Sequence, residues 1–219
     1  DKLSTLRDEP ALTPDGFTVR MFTNSGLLAD LSPGLKHGAQ GIGLYRTEIP
    51  FMVRDSFPSE QEQIDVYSQV FRAYADKPVY MRTLDIGGDK QLPYFPITNE
   101  DNPALGWRGI RFTLDNIQLL MTQARAMLRA AGNEGDLHIL LPLISSTEEL
   151  VTFNQLLDEA LKQLAQEGIH ARRPKVGVMI EVPAAISQLA FWSSRIDFVS
   201  IGSNDLTQYL LALDRNNSR

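Results

Sequence analysis

The sequence predicts an α/β fold in which a parallel sheet is covered by helices. Short segments such as "GIGLY", "HILLPL" and "KVGVMIEV" are almost continuously apolar, as strands buried on both faces are. Segments with apolar residues at helical spacing alternate with them along the chain. Polar and charged residues are concentrated where the apolar segments end. Together these observations indicate successive strand–helix units with a site at one edge of the sheet.

The first half of the chain contains three predicted strands and one clear helix. The opening residues, 1–16, show no period and are expected to form a connector or arm. Strands are predicted over residues 17–22, 41–45 and 78–84. Between the last two, Ser59 and Glu62 have the spacing of a capping box, and apolar residues recur at helical spacing after them.

The second half continues the same alternation. A long segment containing several Pro and Gly residues, 87–109, precedes a helix that carries Ile117 and Leu128. Strands are predicted over residues 138–143, 175–182 and 197–202. A capped amphipathic helix that Gly168 ends follows the first of these, and Pro183 suits the first turn of the next helix. The segment "NDLTQYLLAL" begins the last helix.

Composition limits the classes of function. The 219 residues are 43% hydrophobic and 22% charged, which suits one globular domain with a sizeable core. A net charge of -6 argues against a general surface for nucleic acid or for a membrane. The chain has no cysteine, so it contains no disulfide, thiolate metal site or cysteine nucleophile. No apolar run reaches membrane-spanning length and the first residues are too polar for a secretory signal, so a cytoplasmic protein is expected.

Charged and amide side chains recur at or after the ends of the predicted strands, which face the same way in a parallel βα architecture. They are Arg46, Arg82, Asp85, Asp89, Lys90, Arg108, Glu181, Asn204, Asp205 and, after the last helix, Arg215. Several cations that converge in an acidic protein indicate a site for a small polyanion. Arginine suits this role because it grips phosphate or carboxylate through two parallel hydrogen bonds.

Each of these residues also has a structural interpretation. Arg46 can form a surface ion pair with Glu48, and Asn204 or Asp205 can cap the helix that follows. Glu181 is harder to explain, because a carboxylate at the end of an apolar strand needs a partner or a metal. Two acids at successive strand ends, Glu181 and Asp205, suit Mg²⁺, which takes its other oxygens from substrate and water.

Other polar residues are assigned no functional role. Arg125 and Arg129 are expected on a solvated helix face. The three histidines, His37, His138 and His170, lack a convincing partner and are expected to be structural.

Six segments in order, "GIGLYRTEIPFM", "RTLDIGGDK", "NPALGWRGIR", "PLISSTEEL", "GVMIEVPAA" and "SIGSNDLTQYLLALDR", resemble the phosphoenolpyruvate-binding barrel of Enzyme I of the phosphotransferase system. "GLYRTEIPFM" further resembles the nitrogen-related branch of that family. The resemblance implies a (β/α)8 TIM barrel of the phosphoenolpyruvate- and pyruvate-binding type over residues 17–219. Only six strands are counted where eight are needed, so the barrel is expected to be incomplete at its C-terminal end and the last strands to lie further on.

The resemblance also implies roles for individual residues. Arg46, Arg82, Arg108 and Lys90 match the catalytic cations, and Glu181 and Asp205 match the ligands of Mg²⁺, or of Mn²⁺ in its place. The substrate-binding set it implies is Arg46, Arg82, Asn204, Asp205 and Arg215. Asp85 and Asp89 are expected to orient the cations, and the glycines before Lys90 to let their loop approach the ligand.

In the implied reaction, a histidine on a separate upstream domain takes the phosphoryl group and pyruvate departs. Further partners would be an HPr-like carrier protein and a second copy of the full-length protein in a homodimer, with neither nucleic acid nor membrane involved. The family's phosphorylated histidine and its cysteine have no counterpart here, so this chain alone is expected to be an inactive part of the enzyme.

Three alternatives remain open. The barrel of pyruvate phosphate dikinase or phosphoenolpyruvate synthase shares several of the motifs. A Mg²⁺-dependent lyase acting on carbon–carbon bonds through a pyruvate enolate shares the metal glutamate and a following acid, but has no use for Arg46, Arg108 and Lys90 together. A non-catalytic binding module that retains the pocket is the third.

Overall fold

The computed structural model describes residues 5–88, 90, 92–96, 100–215 and 217. Strands and helices alternate along this part of the chain. The strands are β1 Thr23–Ser25, β2 Ile42–Arg46, β3 Val79–Arg82, β4 Leu137–Leu141, β5 Lys175–Ile180 and β6 Phe198–Ile201. The helices are α1 Leu31–Lys36, α2 Glu48–Met52, α3 Glu60–Ala73, α4 Ile110–Asp115, α5 Ile117–Ala131, α6 Thr147–Gln166, α7 Pro183–Trp192 and α8 Ser203–Leu211.

The six strands form one parallel sheet in the order β1-β2-β3-β4-β5-β6. Every neighbouring pair is parallel, and the pairing of β2 with β3 ends where Arg46 lies opposite Arg82. The sheet is curled and carries helices, as in a TIM barrel of which six strands are described. This confirms the predicted α/β fold and places the carboxyl ends of all six strands at one edge.

The main core lies between the sheet and the helices. Outward-facing strand residues such as Ile42, Met81 and Val178 are fully buried there against α3, α5 and α6. Burying each such side chain contributes about 1.5–3 kcal/mol. On the concave face, the ring of Phe198 fills the space beside Gly177, where an added Cβ would lie 2.5 Å from that ring. The glycine thus lets a large aromatic side chain fill the barrel interior.

Helix boundaries follow the signals in the sequence. The predicted capping box of Ser59 and Glu62 is present at the start of α3, and the predicted cap of α6 has the same arrangement. Gly168 follows α6 with a φ of +76°, a left-handed conformation that glycine adopts without strain. Pro183 is the first residue of α7, where its missing N–H costs nothing.

The prediction of a strand over residues 17–22 is wrong. The first strand of the sheet begins later, at Thr23. The amide of Val19 instead donates to the carbonyl of Ala11, and Leu12 and Thr18 form an isolated antiparallel bridge. The apolar pattern therefore belongs to an exposed local turn, in which Phe17 is 70% exposed. The predicted boundary between an arm and a barrel at residue 16 stays a prediction.

The predicted solvated helix face around Arg125 is also wrong. Arg125 contacts Glu60 at 2.8 Å and Glu167 at 2.9 Å, and Arg129 reaches Glu60 at 2.7 Å. These contacts join α3, α5 and the residue after α6 in a partly buried ionic network, which a helical wheel drawn for α5 alone does not reveal.

Among the described helices, none is long and apolar enough to cross a membrane.

Candidate active site

The strand ends surround a cavity of about 450 Å³. The structure brings together most of the side chains that the sequence singled out. Those that line the cavity are Arg46, Arg82, Lys90, Glu181, Asn204, Asp205 and Arg215. Arg108 lies behind them, 2% exposed, and contacts carboxylates of the same cluster. Asp89 lies outside the described residues.

Arg82 is the central cation of this cluster. It ends β3, is 6% exposed, and contacts Glu48 at 2.6 Å and Asp85 at 3.1 Å. Burial alone would lower the pKa of Arg82, but the two carboxylates outweigh it and raise the pKa. The guanidinium is therefore a permanent charge with a fixed orientation. Glu48 is buried against Arg82, so the surface pair of Glu48 with Arg46 considered from the sequence is wrong.

Asp85 holds three cations in place. Its carboxylate contacts Arg82, the Nζ of Lys90, and Arg108 at 3.5 Å. Burial acts to raise its pKa, but the three cations lower the pKa to about 2. Asp85 therefore stays ionised and orients its neighbours, as its place in the sequence led us to expect. The Nζ of Lys90 also lies 3.7 Å from the carboxylate of Glu48, so Lys90 and Arg82 share this partner as well.

Gly87 is required by the packing of its loop against the segment around Arg108. Its φ is +102°, and an added Cβ would lie 2.4 Å from the carbonyl oxygen of Trp107 and 2.6 Å from the Cβ of Arg108. The tight turn it forms with Lys90, through two backbone hydrogen bonds, therefore rests on the segment that carries Arg108. That the glycines before Lys90 let this loop approach a ligand stays a prediction.

Asp205 connects the far side of the cluster. Its Oδ1 forms ion pairs with Arg108 at 3.3 Å and with Arg215 at 3.5 Å. Tyr209, one turn later in α8, accepts a hydrogen bond from Arg108 and donates one to the carbonyl of Ala104. Arg108 is thereby fixed from both sides. Neither Asn204 nor Asp205 caps α8, because both lie inside its first turn and no side chain bonds at its N-cap.

Glu181 differs from the other carboxylates of the cluster because no Lys or Arg of the described residues forms an ion pair with it. It follows β5 directly, is 1% exposed, and its Oε1 accepts a hydrogen bond from the Leu143 N–H at 2.6 Å. Burial raises its pKa to about 7, and the charges of Asp85 and Asp205 add to the effect, although Leu143 and Arg82 oppose it. Leu143 has a φ of +55°, a strained conformation for a non-glycine residue that points its N–H at this carboxylate.

The unpaired carboxylate fits a divalent cation. Within the described residues, no group of three or more His, Cys, Asp and Glu side chains forms a metal cage. Two carboxylates, Glu181 and Asp205, are nevertheless enough for Mg²⁺, which binds few protein ligands and completes its shell with substrate and water. A cation at Glu181 would remove the cost of burying its charge alone.

Arg46 and Asn204 are the least constrained members of the site. The Nε of Arg46 is buried and has no hydrogen-bond partner among the described residues. Asn204 is exposed at the rim of the cavity. The Nε of Arg46 and the amide of Asn204 are therefore groups that a ligand in the cavity could engage. Sequence reasoning missed the roles of Glu48 and Tyr209, although both lie inside the motifs "RTE" and "NDLTQY".

Comparisons with known proteins bear on this site. A family model described as PEP-utilising enzyme, PEP-binding domain, matches residues 1–219. A protein named phosphoenolpyruvate-dependent phosphotransferase system from Escherichia coli is 47% identical over 211 residues, and phosphoenolpyruvate-protein phosphotransferase from Haemophilus influenzae is 44% identical over 217. These matches cover 96% and 99% of this chain but only 28% and 38% of the relatives.

A solved citrate lyase from Burkholderia xenovorans has a TM-score of 0.52 to this chain at 15% identity, covering 90% of this chain and 52% of the lyase. At that identity the likeness concerns the fold alone. The family model, by contrast, spans the whole length of the chain. The chain thus belongs to the PEP-binding domain family of the PEP-utilising enzymes.

Proposed function

We propose that this chain binds phosphoenolpyruvate together with Mg²⁺ and supports transfer of the phosphoryl group to a histidine on a separate domain, with release of pyruvate. The carrying observation is the cavity of about 450 Å³ in which four cationic side chains face an unpaired, buried Glu181. The names of the relatives support phosphoryl transfer from phosphoenolpyruvate. The reaction would stand at the head of a phosphotransferase relay.

The two acids would hold the metal. Glu181 has no cationic partner in the part of the chain that the structure describes, and Asp205 shares one oxygen between two arginines at 3.3 and 3.5 Å. Mg²⁺, or Mn²⁺ in its place, would act when bound as a Lewis acid that stabilises charge on the phosphoryl and enolate oxygens.

The cations of this chain would bind and orient the substrate. Arg46, Arg82 and Arg215 line the cavity and present forked donors that suit phosphate and carboxylate groups. Arg82 is held by two carboxylates before any ligand arrives, so its charge needs little reorganisation during the reaction. Lys90 would add a further positive charge, and Asn204 a neutral donor at the rim. Arg108 would act from behind by fixing Asp85 and Asp205.

A carbon–carbon lyase of similar fold is the weaker alternative. It would leave Arg108 and Lys90, which converge on Asp85, without a role in the reaction. Relatives that are 41–47% identical to this chain over the aligned residues carry names that refer to phosphoryl transfer, including a multiphosphoryl transfer protein from Shigella flexneri at 41% identity. The nitrogen-related branch, the HPr-like carrier and the homodimer stay predictions.

Calorimetry on the full-length protein tests this function. Phosphoenolpyruvate should bind in the presence of Mg²⁺ or Mn²⁺ and lose most of its affinity in EDTA. Equal affinity in both conditions would refute the metal assignment. An absence of binding in every condition, with the protein folded, would refute the function itself.

A further inference from the structure

Gln123 is a buried polar side chain in an apolar layer. It lies in α5 and is 1% exposed, while its neighbours on the same helix face, such as Leu120, Ala124 and Met127, belong to the main hydrophobic core. A buried amide costs free energy unless its donors and acceptor are satisfied. The hydrogen-bond partners of the Gln123 amide therefore show which groups this buried side chain serves.

Both ends of this amide are bonded to the ends of two neighbouring strands. The Oε1 of Gln123 accepts a hydrogen bond from the Leu84 N–H at 2.8 Å, and its Nε2 donates to the Oγ1 of Thr47 at 3.1 Å. Thr47 in turn donates to the carbonyl of Arg82 at 2.7 Å. The Nε2 also lies 3.3 Å from the hydroxyl of Tyr67.

These bonds begin where the sheet stops. The last paired residues of β2 and β3 are Arg46 and Arg82, so the Leu84 N–H lies beyond the ladder. It is buried, and a buried backbone donor needs an acceptor. Gln123 supplies one from the helix layer and joins it, through Thr47, to the extension of the neighbouring strand. One side chain thus continues the connection between the two strands past the end of the sheet.

The connected segments carry the centre of the candidate site. Arg46 and Glu48 flank Thr47 on one segment, and Arg82 and Asp85 flank Leu84 on the other. On the cavity side, the ion pair of Arg82 with Glu48 joins the same two segments. The relative position of these charges therefore depends on the amide beneath them as well as on their own contacts.

We propose that Gln123 is a positioning residue that sets the spacing of the Arg46–Glu48 and Arg82–Asp85 segments for ligand binding. The inference rests on the proposed function, because phosphoenolpyruvate is the ligand used to detect it. Removing the amide should weaken binding of phosphoenolpyruvate with Mg²⁺ about 10- to 100-fold, the loss typical when a side chain that orients a metal ligand is removed.

Gln63 offers a matched control for the experiment. It is 2% exposed, lies in α3, and also bonds to Tyr67, but its other hydrogen bond goes to the carbonyl of Pro58 and not to a strand end. Gln123→Met and Gln63→Met each remove two or more buried hydrogen bonds at nearly constant volume. Both should lower the melting temperature of the full-length protein. Only Gln123→Met should weaken the binding of phosphoenolpyruvate, measured by calorimetry well below the melting transitions.

Gln123→Glu, which keeps an acceptor for the Leu84 N–H, should lose less affinity than Gln123→Met. Equal affinities of Gln123→Met and Gln63→Met would overturn the proposal while leaving the function intact. Unfolding of both Gln123 variants beside a folded Gln63→Met would also overturn it, because the amide would then act on stability. Failure of the unaltered protein to bind phosphoenolpyruvate would instead contradict the proposed function.

Discussion

Replacing Glu181 with Gln should stabilise the metal-free protein at neutral pH and abolish its metal-dependent binding of phosphoenolpyruvate. The carboxylate is buried and forms no ion pair with the described Lys and Arg residues, and burial with the nearby charges of Asp85 and Asp205 raises its pKa to about 7. A glutamine keeps the shape of the side chain and can still accept the Leu143 N–H, but it carries no charge. The substitution therefore removes a cost of folding and the proposed metal ligand together.

The size of the stabilisation depends on pH. Folding raises the pKa of Glu181 from about 4.5 to about 7, so the folded state binds this proton more tightly than the unfolded state. The associated stability is fully present below about pH 4.5 and is lost as the pH rises through 7. At about 1.4 kcal/mol for each pH unit, the loss reaches about 3 kcal/mol. Glu181→Gln should thus be nearly neutral in acid and stabilising by up to about 3 kcal/mol in mild alkali.

Urea unfolding in EDTA, below pH 5 and near pH 8, measures the change in free energy of unfolding that Glu181→Gln causes at each pH. Glu134→Gln, at an exposed position, is the control and should not stabilise the protein at either pH. A gain in stability that is the same at both pH values would refute the raised pKa of Glu181. Calorimetry supplies the second half of the test. Undiminished Mg²⁺-dependent binding of phosphoenolpyruvate by Glu181→Gln would show that this carboxylate is not a metal ligand.

Three further predictions concern the rest of the molecule. Arg82→Ala should weaken phosphoenolpyruvate binding by about 2–5 kcal/mol in calorimetry, because it removes a buried cation that would pair with the anionic groups of the ligand, whereas Arg72→Ala on an exposed helix position should not. Glu60→Gln should lower the free energy of unfolding by about 1 kcal/mol, measured in urea, because it breaks the network with Arg125 and Arg129, and the loss should shrink at high salt. Phosphoenolpyruvate labelled on phosphorus should leave this chain unlabelled, and a stable label on any of its three histidines would contradict transfer to a separate domain.

The sequence predicted the parts of the fold that depend on local patterns. Buried strands, capping boxes and the proline that starts α7 follow from neighbouring residues, so their positions were predicted closely. The strand over residues 17–22 failed because an apolar alternation of six residues does not specify its pairing partner. In the structure, that partner is a local turn, and the sheet takes Thr23–Ser25 instead.

The candidate site was predicted as a set of residues but not as a network of contacts. Its members were found because strand ends share one edge of the sheet. The pairing of Arg82 with Glu48 joins residues 34 positions apart, whereas chain proximity suggested only Arg46 as a possible partner of Glu48. Gln123 did carry a signal, since it interrupts the apolar face of α5, but only the structure shows that its amide meets two strand ends.

The balance of charge explains why a metal ion and the substrate would bind together. The cluster contains five cationic side chains, Arg46, Arg82, Lys90, Arg108 and Arg215, and four carboxylates, Glu48, Asp85, Glu181 and Asp205. With Glu181 ionised its net charge is therefore positive by one. Phosphoenolpyruvate carries a carboxylate and a phosphate of about −1.5 to −2 charges, so alone it would leave the buried cluster negative. A divalent cation would restore neutrality and would pair with Glu181, which forms no ion pair with any described Lys or Arg. Each ligand would thus lower the electrostatic cost of binding the other. By linkage, phosphoenolpyruvate would raise the affinity for Mg²⁺ by the same factor as Mg²⁺ raises the affinity for phosphoenolpyruvate.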